Sequence, residues 1–147
     1  MIKESLLELF ERDLGKLLTE INLYKEEDSL WLVKEGIGNS AGNLCLHLLG
    51  NLNHFIGAVL GNSGYTRDRE KEFTLKNIPR KELVAGIENT IAVVKNTLTN
   101  LNEAELEKNF PIEVFGKPLT TGFFLMHLTT HLTYHLGQIN YHRRLLA

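Results

Sequence analysis

"SLLELFERDLGKLLTEINLY", residues 5–24, predicts the fold class through the spacing of its apolar side chains. Six apolar residues follow one another at alternating steps of three and four, which places them on one face of an α-helix. They are Leu7, Phe10, Leu14, Leu17, Ile21 and Tyr24. Charged side chains occupy the other faces, so the stretch predicts an amphipathic helix over about residues 3–25 that packs against a core.

Three further segments have helical character, and one of them, from Val84 to Leu101, repeats the spacing of the first. Asn39 or Ser40 can cap one of these helices, and Thr120 or Thr121 can cap the last. The predicted helices span about residues 3–25, 41–60, 80–101 and 121–146.

Two long connections separate the predicted helices. "GNSGYTRDREKEFTLKNIP", residues 61–79, has turn residues at its start and a proline at its end. It is interpreted as an ordered loop carrying Arg67, Arg69 and Glu70, with the arginines anchoring the loop through salt bridges. Residues 102–121 are broken by prolines and glycine, with room for a short helical turn and a short extended piece.

The chain shows no alternating strand pattern, no internal repeat and no low-complexity tract. Four helices of about 20 residues predict an all-α protein, a four-helix bundle. With 147 residues, the chain predicts a single domain over residues 1–147.

Composition excludes several classes of function. The formal net charge of −2 provides no basic excess for phosphates or for an anionic membrane surface, so we expect neither nucleic acid nor membrane as a partner. Cys45 is the only cysteine, which excludes an intrachain disulfide. The first 18 residues are amphipathic where a signal peptide would be apolar, so we expect a reduced, cytoplasmic location.

The six histidines carry the strongest functional signal, because all lie on the second and fourth predicted helices. They are His47, His54, His127, His131, His135 and His142. At about 100° per residue, the four on the last helix fall within about 80° of one another, and the two on the second helix lie about 20° apart. Each helix therefore presents a histidine-rich stripe, and the two stripes can face each other.

This pattern is typical of a metal site. Imidazoles at positions i and i+4 stand one turn apart on the same face and can converge on one cation. The four histidines of the last helix span about 22 Å, too far for one ion, so some of them have another role. A third ligand must come from the second helix, where His47 and His54 share a face. A pH-sensitive histidine core without metal is the alternative.

"NLCLHLLGNL", residues 43–52, followed by "HLTYHLGQINYHRR", residues 131–144, resembles the DinB/YfiT-like superfamily, which is described as metal-dependent. "GYTRDREKEF", residues 64–73, is similar to the loop of one of its small bacterial subfamilies. The likeness covers essentially the whole chain, and its specific part is the pattern HxxxHxGQ.

The resemblance implies a DinB/YfiT-like four-helix bundle, usually a homodimer, with a divalent metal such as nickel, zinc, iron or manganese held by three histidines. HxxxHxGQ places two ligands at His131 and His135, and "HLLGNL" places the third at His47, with His54 as its rival. His127 and His142 match no ligand position, and we expect structural or supporting roles for them.

The resemblance also implies a reaction class. Some members of the superfamily are thiol-dependent transferases and isomerases that use the metal to activate a low-molecular-weight thiol. We therefore expect a metal-dependent hydrolase or thiol S-transferase that acts on a small molecule, with no catalytic residue assigned beyond the ligands. The alternative is a non-catalytic, metal-stabilised homodimer with a stress-related or scaffolding role.

Overall fold

A computed structural model describes residues 1–147, and the protein is helical with no β-strand beyond two isolated bridges. Two 3₁₀ turns, at Glu27–Trp31 and Glu103–Glu107, lie in the connections. The five α-helices are α1 (Ile2–Leu23), α2 (Ala41–Leu52), α3 (Arg69–Thr74), α4 (Arg80–Asn100) and α5 (Thr121–Leu146). None of them is both long enough and apolar enough to cross a bilayer.

The long helices α1, α2, α4 and α5 surround one core of 26 buried apolar residues. Helices α1 and α2 each pack against both α4 and α5. The apolar face predicted for the first helix is buried from Phe10 to Tyr24, but at its start Leu6 is buried and Leu7 only half-buried. The predicted helical face is therefore correct, with a local shift by one residue at its first turn.

The expectation of four helices is wrong by one, because residues 61–79 contain the short helix α3. The Asp68 carboxylate caps α3 by accepting a hydrogen bond from the Lys71 amide at 3.3 Å. Asn43 of α2 donates hydrogen bonds from Nδ2 to the carbonyls of Glu72 (2.9 Å) and Leu75 (2.8 Å). A six-residue helix has almost no stability of its own, so docking on α2 stabilises it.

The second predicted helix is also divided. Regular α-helix ends at Leu52, and a π-helix continues from Asn53 to Leu60. The Gly61 amide donates to the Ile56 carbonyl at 2.9 Å, which is the i to i+5 bond of that geometry. A π-helix turns through less than 100° per residue, so the helical face of α2 cannot be extended past Leu52 with α-helical spacing, and His54 lies in this π-helical part.

Two of the proposed helix caps are resolved. Ser40 Oγ accepts from the Asn43 amide at 3.1 Å, which begins α2, and Thr120 Oγ accepts from the Phe123 amide at 3.1 Å, which begins α5. Each hydroxyl satisfies an amide that has no partner inside the helix. These caps fix the start of the two helices that carry the histidines.

Candidate metal centre

Three histidines from two helices come together where α2 packs on α5. They are His47 of α2 and His131 and His135 of α5, and each offers one ring nitrogen within 4.8 Å of the nitrogens offered by the others. His47 Nε2 lies 3.2 Å from His131 Nε2. The ring centroids of His131 and His135 are 4.6 Å apart, and those of His47 and His135 are 5.2 Å apart. The sequence spacing and the packing of two helices thus produce one cluster.

His47 has the most extensive support. Its Nδ1 lies 3.0 Å from Glu72 Oε1, and both groups are buried. Arg67 in turn donates to both oxygens of Glu72, from Nε to Oε2 and from Nη2 to Oε1, each at 2.9 Å. The Phe73 ring packs against the imidazole with centroids 4.9 Å apart. The Arg67–Glu72 ion pair therefore contacts the Nδ1 edge of the His47 ring, and the Phe73 ring packs against the same imidazole.

His135 is supported by its own helix. Its Nδ1 lies 2.7 Å from Gln138 Oε1, three residues further along α5, and Gln138 Nε2 donates to the Tyr134 hydroxyl at 3.3 Å. Because an amide oxygen only accepts, Nδ1 of His135 carries the proton and Nε2 keeps its lone pair. The glutamine of the HxxxHxGQ pattern thus selects the ligand nitrogen of His135.

His131 has no hydrogen bond outside the cluster. Its Nδ1 is buried without a partner, and its Nε2 faces only His47. Burial, followed by the nearby His135 and His47, lowers the pKa of His131 to about 4. Burial also lowers the pKa of His135, against the opposing hydrogen bond from Gln138. Both rings are therefore neutral at pH 7, as metal ligation requires.

The cluster fits a divalent transition metal. Two nitrogens bound to one tetrahedral zinc at about 2.0–2.1 Å stand about 3.3 Å apart, and His47 Nε2 and His131 Nε2 are 3.2 Å apart. Outside the cluster, no protein group forms a hydrogen bond with Nε2 of His131, which leaves this nitrogen to the metal. Three imidazoles suit zinc, copper, iron or nickel better than magnesium or calcium. Three histidines are also the protein ligand set of one known class of catalytic zinc site.

The other three histidines lie outside this cluster. His142 is buried, with Nδ1 2.7 Å from the Tyr24 hydroxyl and Nε2 2.8 Å from the Leu32 carbonyl, and this is a structural role. His127 packs between the rings of Phe115 and Phe124, and His54 packs on Phe55. Of the two rival positions on the second helix, His47 lies in the cluster with the pair on α5 and His54 does not, and the choice of ligand stays a prediction.

The single cysteine and several arginines make contacts that stabilise the fold. Cys45 is fully buried, and burial raises the pKa of its thiol to about 12, so it is an inert core residue. Arg67 forms the salt bridge expected of the loop arginines, whereas Arg69 lies over the Phe73 ring. Arg143 pairs with Glu20 of α1 at 2.8 Å.

Sequence reasoning missed Glu72, which lies in a run of charged residues that reads as a solvated loop. One signal could have found it. Gly50 stands in the interior of α2, three residues after His47, where glycine is unfavourable by about 1 kcal/mol relative to alanine. A Cβ at Gly50 would lie 1.8 Å from Glu72 Oε2. A glycine inside a helix beside a candidate ligand indicates that another group approaches there.

Comparison with known proteins adds the family. No curated protein matches the chain. One family model matches residues 5–147, a span that includes all three clustered histidines together with Arg67 and Glu72. The chain therefore belongs to the family described as "Protein of unknown function (DUF1572)".

Proposed function

We propose that the protein binds a divalent transition metal through His47, His131 and His135 and uses it to activate a small nucleophile. The single observation that carries this proposal is the convergence of three imidazole nitrogens within 4.8 Å from two packed helices. When bound at three neutral imidazoles, such a metal keeps a position for water or substrate and lowers the pKa of the group that binds there. We further propose that the arrangement of the four long helices is the DinB/YfiT type that the sequence resembles.

The surroundings of the cluster favour a thiol as the nucleophile over water. The nearest carboxylate that supports the cluster, Glu72, has its oxygens occupied by Arg67 and His47 and is not free to act as a base. A thiol has a pKa of about 8.5 and water of about 15.7, so a thiol needs the smaller shift to ionise at neutral pH. We therefore propose low-molecular-weight thiol S-transfer as the first reaction to test and hydrolysis as the second. The homodimer and the cytoplasmic location stay predictions.

The first experiment is elemental analysis of protein purified without a polyhistidine tag. We expect about one metal per chain, in keeping with one three-ligand site. Replacing His47, His131 and His135 together by alanine should remove the metal, whereas His54→Ala should retain it, because His54 lies outside the cluster. Full metal content in the triple variant, or none in the wild type, would refute the site.

The second experiment tests the reaction. Metal-loaded protein is assayed with low-molecular-weight thiols and an electrophilic small molecule, and separately with ester and amide substrates in the absence of thiol. Thiol-dependent turnover that disappears in the triple alanine variant supports S-transfer. Turnover without thiol supports hydrolysis. Stoichiometric metal that raises the melting temperature without either activity would instead indicate a structural site.

A further inference from the structure

The Arg67–Glu72 pair is buried beside the cluster. Only 6% of the Glu72 surface is exposed, and both of its oxygens accept from Arg67 while Oε1 also faces His47. An Arg–carboxylate pair with two parallel hydrogen bonds fixes the orientation of the carboxylate. Glu72 thus holds one fixed position relative to His47.

The backbone around Glu72 is fixed as well. Asn43, one turn before His47 on α2, donates to the carbonyls of Glu72 and Leu75. Gly50, near the next turn, leaves the space that the Glu72 carboxylate fills. The helix that carries a candidate ligand therefore also forms the docking surface for the segment that supports it.

The contact determines which nitrogen of His47 carries a proton. Both oxygens of Glu72 accept hydrogen bonds from the Arg67 guanidinium at 2.9 Å, which is the geometry of a carboxylate–guanidinium ion pair, so the carboxylate is ionised. An ionised carboxylate only accepts hydrogen bonds. Arg67 Nη2 also lies 3.4 Å from His47 Nδ1, but it donates to Glu72 Oε1 at the shorter distance of 2.9 Å. At 3.0 Å from Glu72 Oε1, His47 Nδ1 is therefore the protonated nitrogen, and Nε2 keeps its lone pair.

We propose that Arg67 and Glu72 are positioning residues that hold His47 as the Nδ1–H tautomer, so that Nε2 is available to a metal only while residues 62–79 are docked on α2. This inference rests on the proposed function for its metal, but the tautomer is a property of the metal-free protein. Partners of ligating histidines of this kind typically contribute 10–100-fold to metal affinity.

An amide cannot replace the carboxylate in this arrangement. Glutamine offers one acceptor and one donor, whereas the two oxygens of Glu72 face three donors, two from Arg67 and one from His47. In Glu72→Gln, either the amide nitrogen opposes Arg67 or it faces His47 and favours the Nε2–H tautomer. At nearly constant volume, the substitution therefore disturbs either the pairing with Arg67 that orients residue 72 or the hydrogen bond that selects the tautomer.

The test compares Glu72→Gln with Glu70→Gln, the same change at an exposed position of α3. Long-range ¹H–¹⁵N correlation spectra of the metal-free proteins report the tautomer of each histidine. We expect the Nδ1–H form for His47 in the wild type and in Glu70→Gln, and a reduced population of this form in Glu72→Gln. Competition with a chromophoric chelator should show zinc binding about 10–100-fold weaker in Glu72→Gln only.

Arg67→Lys is the second variant, in case Glu72→Gln does not fold, because lysine keeps the charge but cannot form the paired hydrogen bonds. Full retention of the Nδ1–H tautomer together with wild-type zinc affinity, in whichever variant folds, would overturn the inference. If the wild type shows the expected tautomer but binds no metal, the proposed function fails while the positioning of His47 stands.

Discussion

Gly50→Ala tests the architecture of the site without replacing any side chain that forms it. An alanine Cβ at this position would lie 1.8 Å from Glu72 Oε2 and 2.5 Å from its Cδ. Real Cβ atoms do not approach so closely, so Glu72 must leave its place beside His47 and Arg67. We expect the variant to fold with an altered 62–79 segment, because the displaced residues can reach solvent.

The magnitude follows from two opposing effects. Alanine in the helix interior gains about 1 kcal/mol over glycine. Loss of buried hydrogen bonds to a charged group costs about 1.5–3 kcal/mol for each bond, and three such bonds join Glu72 to its partners. Since the segment can swing out and rehydrate, we expect the net loss of unfolding free energy to be about 1–3 kcal/mol, below the cost of a buried unpaired charge.

The assay is urea unfolding of the metal-free protein together with zinc competition. The control is Gly15→Ala in α1, where a Cβ would meet nothing within 4 Å, so the same substitution should stabilise by about 0.5–1 kcal/mol. Zinc binding should weaken about 10–100-fold in Gly50→Ala and stay unchanged in Gly15→Ala. Equal stability and equal zinc affinity in the two variants would show that the space at Gly50 is not needed to place Glu72 beside His47.

Three further predictions concern other supports of the site and the core. Gln138→Leu should weaken zinc binding by less than Glu72→Gln does, because Gln138 is exposed and water can replace it as the acceptor for His135 Nδ1. The same zinc competition measures this, and an equal or larger loss of affinity would contradict it. Tyr24→Phe should lower the unfolding free energy by about 1–3 kcal/mol in urea titrations, because the buried hydroxyl forms hydrogen bonds with His142 and with the Ile139 carbonyl. Zinc affinity should not change. Unchanged stability would refute the role of this hydroxyl. In metal-free protein, the pKa of His131 is about 4 when folded and its ordinary value is 6.5, so the unfolded chain binds more protons between these values and unfolding free energy should fall as pH falls through them. Urea titrations across that pH range should show a smaller slope in His131→Asn, and an identical slope would contradict the assignment.

The long helices were predictable because each is amphipathic or capped within its own sequence. The predicted ranges 80–101 and 121–146 lie within one residue of α4 and α5. The π-helix after Leu52 could not be predicted, because its backbone hydrogen bonds are not reflected in the spacing of apolar residues along the sequence. Helix α3 was not predicted for a similar reason: its six residues show no periodic pattern, and the helix depends on docking on α2.

The same distinction between local and distant contacts applies to the site. His131, His135 and Gln138 lie within two turns of one helix, so their common face could be predicted from spacing alone. For the third ligand, spacing left both His47 and His54 as candidates, and only the packing of the helices shows that His47 lies in the cluster. Glu72 was not found, because its 25-residue separation from His47 is closed by a loop whose path no local pattern encodes.

The three histidines are kept ready for a metal by different physical means. Glu72 and Gln138 each accept a hydrogen bond from the Nδ1–H of a ring and thereby leave Nε2 of His47 and His135 unprotonated. His131 has no such partner, and its neutrality comes from burial and from the neighbouring rings that lower its pKa. A hydrogen bond determines which ring nitrogen keeps its lone pair. Burial determines only that the ring is neutral, so that one of the two nitrogens keeps a lone pair. Disturbance of Glu72 or Gln138 should therefore change the tautomer of a single ring, whereas loosening of the α2–α5 contact should allow His131 to protonate and repel the metal.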